Sequence, residues 1–512
     1  MTGGVRVGVD VGGTFTKAVA VDLANGEIVA RSVAPTTHDD DAGPAAGVVR
    51  VVGDVARQVG PEHIDLVTHS TTQAVNALLE GDTGIVGVLG LGRQPDLKKA
   101  RRRTRLDGVE LAPGRPLPVV SEFLDVTTGL DDRELSAALD RLVAGGAIAI
   151  CVAEAFAPDE GDDERRAVLA ALARGLPACG SSEMTGLYGL ELRTVTAALN
   201  ASILPIAVGT AEFVERGVAE AGVRSPVMVM RGDGGAIDAD GFRREPARTL
   251  YSGPAASVAG VLRFSRISDG VVVEVGGTST NVAAIKAGKP ALSYVQVASH
   301  ATALRSLDVR VVGVAGGSML RARRNKLYGV GPRSAHIARL PYACYLDPAA
   351  IDGATVELLA PRAGDPEEYV VLRLRDGTRA ALTNTCAAVA LAVVQPGDYA
   401  AVGASADAAL AGFDVAGAWL KLAGAEVARR MLVASAQTVG NLIRSVADEY
   451  ELESPTLVAV GGGAGGVGRF VAASLGLECH VPAAAEVISS IGDALSLVRI
   501  ERERSIVSPR AE

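Results

Sequence analysis

Aromatic residues are scarce: Phe, Trp and Tyr make up 4% of the 512 residues, with a single tryptophan. Surfaces that grip nucleic acid by base stacking need such rings, and the net charge of −9 opposes a phosphate backbone, so that class is excluded. Cysteine is also scarce. The five thiols, Cys151, Cys179, Cys344, Cys386 and Cys479, are scattered without metal-ligand spacing, which predicts buried thiols in a reducing cytoplasm. There is no run of about 18 uncharged apolar residues, so no membrane span is expected. The first residues enter a strand pattern directly, without a signal-peptide profile. What remains is 48% hydrophobic and 21% charged, an ordinary globular balance, in a chain too long for one core.

What the chain does have is glycine, 60 residues of it, concentrated in a motif that is written twice. Residues 7–22 read VGVDVGGTFTKAVAVD, and residues 271–286 read VVVEVGGTSTNVAAIK. Asp10 aligns with Glu274, Gly12-Gly13-Thr14 with Gly276-Gly277-Thr278, and Thr16 with Thr280. Each copy is an apolar strand, an acid, two glycines, a hydroxyl-rich turn and a second apolar strand. Adjacent glycines leave no Cβ to block a ligand, and turn N–H groups and hydroxyls can point at anionic oxygens. The acid repels phosphate unless a cation stands between them, and Mg²⁺ bridges carboxylates to phosphates in this way. One copy alone reads equally well as a tight β-turn; two copies, each with its acid, point to paired phosphate cradles.

The rest of the chain fits an α/β frame around these hairpins. Helices are predicted at 45–59, 72–79, 130–144, 191–218 (interrupted near Pro205), 254–264, 416–449, 468–475 and 485–500. Strands are predicted at 27–33, 64–68, 83–91, 147–153, 227–230 and 456–460. The basic run 98–105 reads as a solvated loop, and 231–235 as a polar loop facing a cleft. Helical patterning thins between about 290 and 407, which suggests a β-rich insert. A third glycine cluster, Gly461-Gly462-Gly463, follows a strand and precedes a helix, so a flat ligand could lie on its backbone.

These elements resemble the actin, sugar kinase and heat-shock chaperone ATPase superfamily. Further segments resemble the A-type subunits of the hydantoinase/oxoprolinase family. They are Asp10 to Lys17; His69-Ser70-Thr71-Thr72 with Asn76-Ala77-Leu78-Leu79; Arg193, Thr194, Thr196 and Asn200; Ser252-Gly253-Pro254; Gly313 to Ser318; and Val330 to Ala335. The sequence departs from the family pattern at Lys17 and Asn281, where the family usually has Asp, and at Glu274, also usually Asp. Asp308-Val309-Arg310 replaces Asp-x-His.

The resemblance implies two ribonuclease H-like halves around a nucleotide cleft, divided as residues 1–190 and 191–512, with the β-rich insert in the second half. It implies ATP and Mg²⁺ as cofactors. Asp10 and Glu274 are then the catalytic and metal-binding acids. Gly12, Gly13, Thr14, Thr16, Gly276, Gly277, Thr278 and Ser279 hold phosphates, and Gly461, Gly462 and Gly463 face the adenosine. His69, Thr71, Thr72 and Asn76 are expected at the substrate, whereas His300 and His336 of the insert read more readily as ordinary surface or core histidines than as pocket residues. The implied activity is ATP-dependent hydrolysis of a cyclic amide (hydantoin, lactam or 5-oxoproline) through phosphorylation of its carbonyl oxygen. The alternatives are an ATPase that reactivates a partner enzyme, or the ATP-using component of a carboxylase that acts on a ketone. A hydantoinase B-type second subunit or a homodimer is the implied assembly, without nucleic acid or membrane.

Overall fold

The computed structural model describes residues 4–12, 15–36, 44–71, 78, 83–112, 114–265, 267–324 and 326–498. The chain separates into two compact units. Unit 1 comprises residues 1–255, 292–307 and 493–512, and unit 2 comprises 256–291 and 308–492. This partition differs from a single division near 190, because the chain returns to unit 1 twice.

Unit 1 carries a seven-stranded sheet in the order Leu497–Val498, Gly235–Asp238, Val227–Met230, Ile64–His69, Val5–Val11, Phe15–Asp22, Ile28–Pro35. Val5–Val11 pairs antiparallel with Phe15–Asp22 and parallel with Ile64–His69. Valines on Val5–Val11 pack with the helix Pro44–Val59, whose Val48, Val51, Val52 and Val55 are buried in the same cluster. A second, all-parallel sheet orders Ala178–Gly180, Ala149–Glu154, Val86–Gly92 and Val119–Asp125. Between Val119–Asp125 and Ala149–Glu154 runs the helix Asp132–Ala144, capped by the Asp131 carboxylate, which accepts from the N–H groups of Arg133 and Glu134.

Unit 2 repeats the hairpin. Gly270–Val275 pairs antiparallel with Thr280–Lys286 and parallel with Thr456–Val460. The third strand of this meander shrinks to Lys289–Pro290, and Val309–Val312 completes the edge. Beside this six-stranded sheet stands a five-stranded one built from Ser318–Arg323, Lys326–Ser334, Thr355–Leu359, Tyr369–Arg373 and Arg379–Ala381. Strands make up much of residues 290–381, and of these Leu292–Val297 and His300–Leu307 belong to unit 1.

Several expectations need correction. The helix Leu190–Glu220 runs unbroken through Pro205. It also has the length and hydropathy to cross a membrane, but 67% of its apolar window is buried inside the protein. The helix expected at 416–449 is two, Ala406–Leu420 and Gly424–Glu449, separated where Lys421 adopts φ 58°. The final helix is short, Ile488–Ala494, and is followed by the strand Leu497–Val498. The basic run is helical over Leu97–Arg103, with the Arg101 guanidinium 4.7 Å from the Phe123 ring centre. The loop 231–235 is not open: Arg231 and Asp233 form a buried ion pair. The helix expected at 72–79 lies outside the described residues, apart from Leu78.

Candidate nucleotide and metal site

In unit 1 the end of Val5–Val11 brings Asp10 beside three other segments. Asp10 faces Lys17 across the hairpin ladder. The next strand, Ile64–His69, runs into Ser70, whose N–H donates to Val9 O at 2.9 Å. The Ser70 hydroxyl lies 2.9 Å from Oδ2 of Asp493 and 3.4 Å from Oδ1 of Asp10. Thr71 is tied to Ser252 in both directions: its N–H donates to Ser252 Oγ at 3.1 Å, and that hydroxyl donates to Thr71 O at 3.0 Å. This fixes the start of the helix Ser252–Ser265 next to the acid. A Cβ at Gly253 would stand 3.9 Å from Asp10 Oδ1, so this glycine lies next to the acid. Asp493 is fully buried, and its Oδ1 has no hydrogen-bond partner. Burial first, and then the neighbouring Asp10 charge, push the Asp493 carboxyl well above the usual carboxylate range.

In unit 2 the matching acid is held differently. Glu274 faces Asn281 across its ladder and accepts from Asn281 Nδ2 at 2.9 Å. Its other oxygen accepts from the Ser257 hydroxyl at 2.6 Å. Three glycine loops converge next to it. Gly316 N–H donates to Gly276 O, and Gly317 N–H to Gly277 O, at 3.1 and 3.0 Å. Gly463 N–H donates to Val275 O at 2.9 Å. Gly461 has φ 84°, and a Cβ there would meet Val275 O at 2.5 Å, so only glycine lets this loop lie against the strand end. Thr385 and Asn384 brace the middle loop by donating to Gly316 O and Ala315 O. His336 packs on Gly277 and shares a 2.9 Å hydrogen bond with Tyr342.

The two turns close alike. Gly12 N–H donates to Phe15 O at 3.1 Å, and Gly276 N–H donates to Ser279 O at 3.0 Å. These two N–H groups therefore hold the turn itself. Thr16 is buried, within 3.2 Å of the Thr36 hydroxyl, which itself donates to Gly12 O. Its counterpart Thr280 is equally buried and donates to Val314 O at 2.6 Å. The phosphate role expected of Thr16 gives way to an inward, bracing one. Gly13, Thr14, Thr72 and Asn76 lie outside the described residues.

His69 also takes a core role instead of the expected substrate role. It is 2% exposed, lies edge-on to Phe242 at 6.5 Å, and burial lowers its pKa to about 4. His300 accepts from Glu110 N–H at 3.2 Å, which anchors a strand. The segment from Arg193 to Asn200 is structural as well. Arg193 donates to Glu154 O and Leu187 O, and Asn200 bonds both Arg244 O and Ala247 N–H. Sequence reasoning missed Asp493 and Ser257: neither sits in a motif, and only the fold brings them to the acids.

A hard divalent cation takes oxygen donors. Asp10, with the unpartnered buried Oδ1 of Asp493 close by, fits Mg²⁺. Glu274, held by Ser257 and Asn281, fits an outer-sphere or orienting role. Among the described residues no group of three or more His, Cys, Asp or Glu side chains is arranged to hold an ion by itself. The donor set is therefore one that needs waters or phosphate oxygens to complete it.

Comparison with known proteins gives the family and the fold. The hydantoinase/oxoprolinase N-terminal region model matches residues 6–174, and the hydantoinase/oxoprolinase model matches residues 193–502. The chain is 26% identical over 360 residues to the alpha subunit of the caprolactamase of Pseudomonas jessenii, covering 64% of this chain and 50% of that protein. It thus spans half the length of that relative. In fold it is similar to the ATP-dependent caprolactamase of Pseudomonas jessenii (TM-score 0.67, 22% identity, 96% of this chain, 71% of that one). It is likewise similar to an acetone carboxylase in its nucleotide-free structure (TM-score 0.66, 21% identity, 96% and 70%). Two family models that together run from residue 6 to residue 502, over a fold shared with both structures, make this chain a member of the hydantoinase/oxoprolinase family.

Proposed function

We propose that this chain is the ATP-using part of a hydrolase that activates the carbonyl of a cyclic amide. The observation behind this is the duplicated hairpin, each copy ending in an acid beside a glycine turn. In this reading the two units are actin-like halves that close on one magnesium nucleotide. Asp10 holds the hydrated Mg²⁺. Glu274, fixed by Ser257 and Asn281, orients the attacking group, and Gly277, Thr278 and Ser279 donate to phosphate oxygens. The three glycines from 461 to 463 lie under the adenosine. The five free cysteines suit a cytoplasmic setting.

Amide resonance protects a lactam carbonyl from water. Transfer of the γ-phosphoryl group to the carbonyl oxygen releases ADP and leaves a carbon that water attacks. Collapse expels the ring nitrogen and gives an acyl phosphate, and a second water releases phosphate and the amino acid. Catalysis here is mainly positioning and charge neutralisation, which suits a site made of backbone N–H groups and two acids. The relatives named caprolactamase favour a lactam, with a second subunit completing ring opening. The fold shared with acetone carboxylase supports a second reading, the ATP-using component of a ketone carboxylase. Phosphate release with MgATP across lactams, hydantoins, 5-oxoproline and simple ketones tests both. A lactam- or hydantoin-dependent burst carries the first reading, and stimulation by ketone with bicarbonate carries the second. If none of these compounds raises the rate above that of ATP alone, both readings fail.

A further inference from the structure

We infer that Asp493 is a second carboxylate of the cation seat in unit 1: its buried Oδ1 accepts from the hydration shell of the divalent ion that Asp10 holds. The inference deepens the magnesium nucleotide reading and rests on it. Asp493 reaches the site from a position 423 residues away from Ser70 in sequence, at the end of Ile488–Ala494. Oδ2 is accounted for by the Ser70 hydroxyl at 2.9 Å. Oδ1 is buried with no partner. A carboxylate oxygen in that position is unfavourable unless something cationic or donating meets it.

A purely structural side chain has no need of that second oxygen; asparagine or serine would hold Ser70 equally well. The Ser70 hydroxyl has one proton and sits between the two acids, 2.9 Å from one and 3.4 Å from the other, so it spaces them. Lys17 faces Asp10 across the ladder, and Oδ1 of Asp493 still has no partner. Mg²⁺ keeps several of its waters, and such waters need acceptors held in place. Asp10 and Asp493 both bring carboxyl oxygens to the surroundings of the one Ser70 hydroxyl.

The test uses the full chain and MgADP. ADP binding is titrated calorimetrically over a series of MgCl₂ concentrations and in EDTA, for wild type, Asp493→Asn and Asp10→Asn. Asp493→Asn keeps the shape and a partner for Ser70 while removing the charge. The expected result is a rise of about tenfold in the Mg²⁺ needed for half-saturation, the scale typical of outer-sphere partners. ADP affinity in EDTA stays unchanged, because no cation then bridges the acid to the nucleotide. If Asp10→Asn raises the Mg²⁺ requirement and Asp493→Asn does not, the inference is overturned and the magnesium site stands. If neither variant shifts it, the magnesium reading itself fails. Should Asp493→Asn not fold, Ser70→Ala is measured the same way: a several-fold rise supports the inference, and an unchanged Mg²⁺ requirement overturns it.

Discussion

The two hairpins share a backbone and differ in what surrounds the acid. In unit 1, Asp10 has a second carboxylate close by, with one serine hydroxyl between them and one oxygen left over. In unit 2, Glu274 is met by two side-chain donors, Ser257 and Asn281. The first arrangement sets two carboxyl groups side by side and suits a cation. The second fixes the carboxyl group in one orientation. A doubled motif has thus become two different parts, and the difference is carried by residues outside the turns.

Removing the acids themselves should separate the two hairpins most. Asp10→Ala is expected to lower MgATP-dependent phosphate release by about 100-fold or more, the scale seen when a principal electrostatic group is removed; a phosphate assay checks it. Glu274→Gln retains a polar group between Ser257 and Asn281 and is expected to lower the rate less, by about tenfold. If the two substitutions are equally damaging, the division of roles is wrong.

His69 distinguishes the units by pH, since the matching place in unit 2 is Ala459. Its folded pKa of about 4 lies below the ordinary value of 6.5. Above 6.5 both folded and unfolded states are neutral there. As pH falls from 6.5 towards 4 only the unfolded state takes up the proton, so stability is lost in that window, by up to about 3 kcal/mol. Denaturant titrations of wild type and His69→Gln at several pH values should show the extra loss in wild type alone.

The paired threonines give the smallest effects. Thr280→Val leaves Val314 O without its donor in a buried place and should destabilise by about 1–3 kcal/mol. Thr16→Val leaves the bond from Thr36 to Gly12 O intact, so about 0.5–1.5 kcal/mol is expected. Neither change should alter nucleotide affinity, which calorimetry would show.

The hairpins were legible in the sequence because strand alternation, paired glycines and an acid recur in register. The strand at Thr456–Val460 was legible for similar local reasons. Pro205 misled because its helix is enclosed by protein, so packing overrides the lost N–H bond. The break after Leu420 was hidden because Lys421, with no glycine or proline signal, takes the left-handed cap that closes Leu422 N–H onto Gly417 O. Thr16 looked like a phosphate ligand because its residue type fits, whereas the strand's alternation turns it inward. Asp493 was invisible since nothing local marks an acid that only the tertiary fold delivers to Ser70.

The proposed chemistry stands only if both hairpins serve one nucleotide. A crystal structure with Mg²⁺ and a non-hydrolysable ATP analogue decides this. The expected result is one nucleotide per chain, its phosphates within hydrogen-bond distance of both turns, 12–15 and 276–279, and its base over Gly461, Gly462 and Gly463. A nucleotide that touches only one of the two turns, or neither, contradicts the proposal.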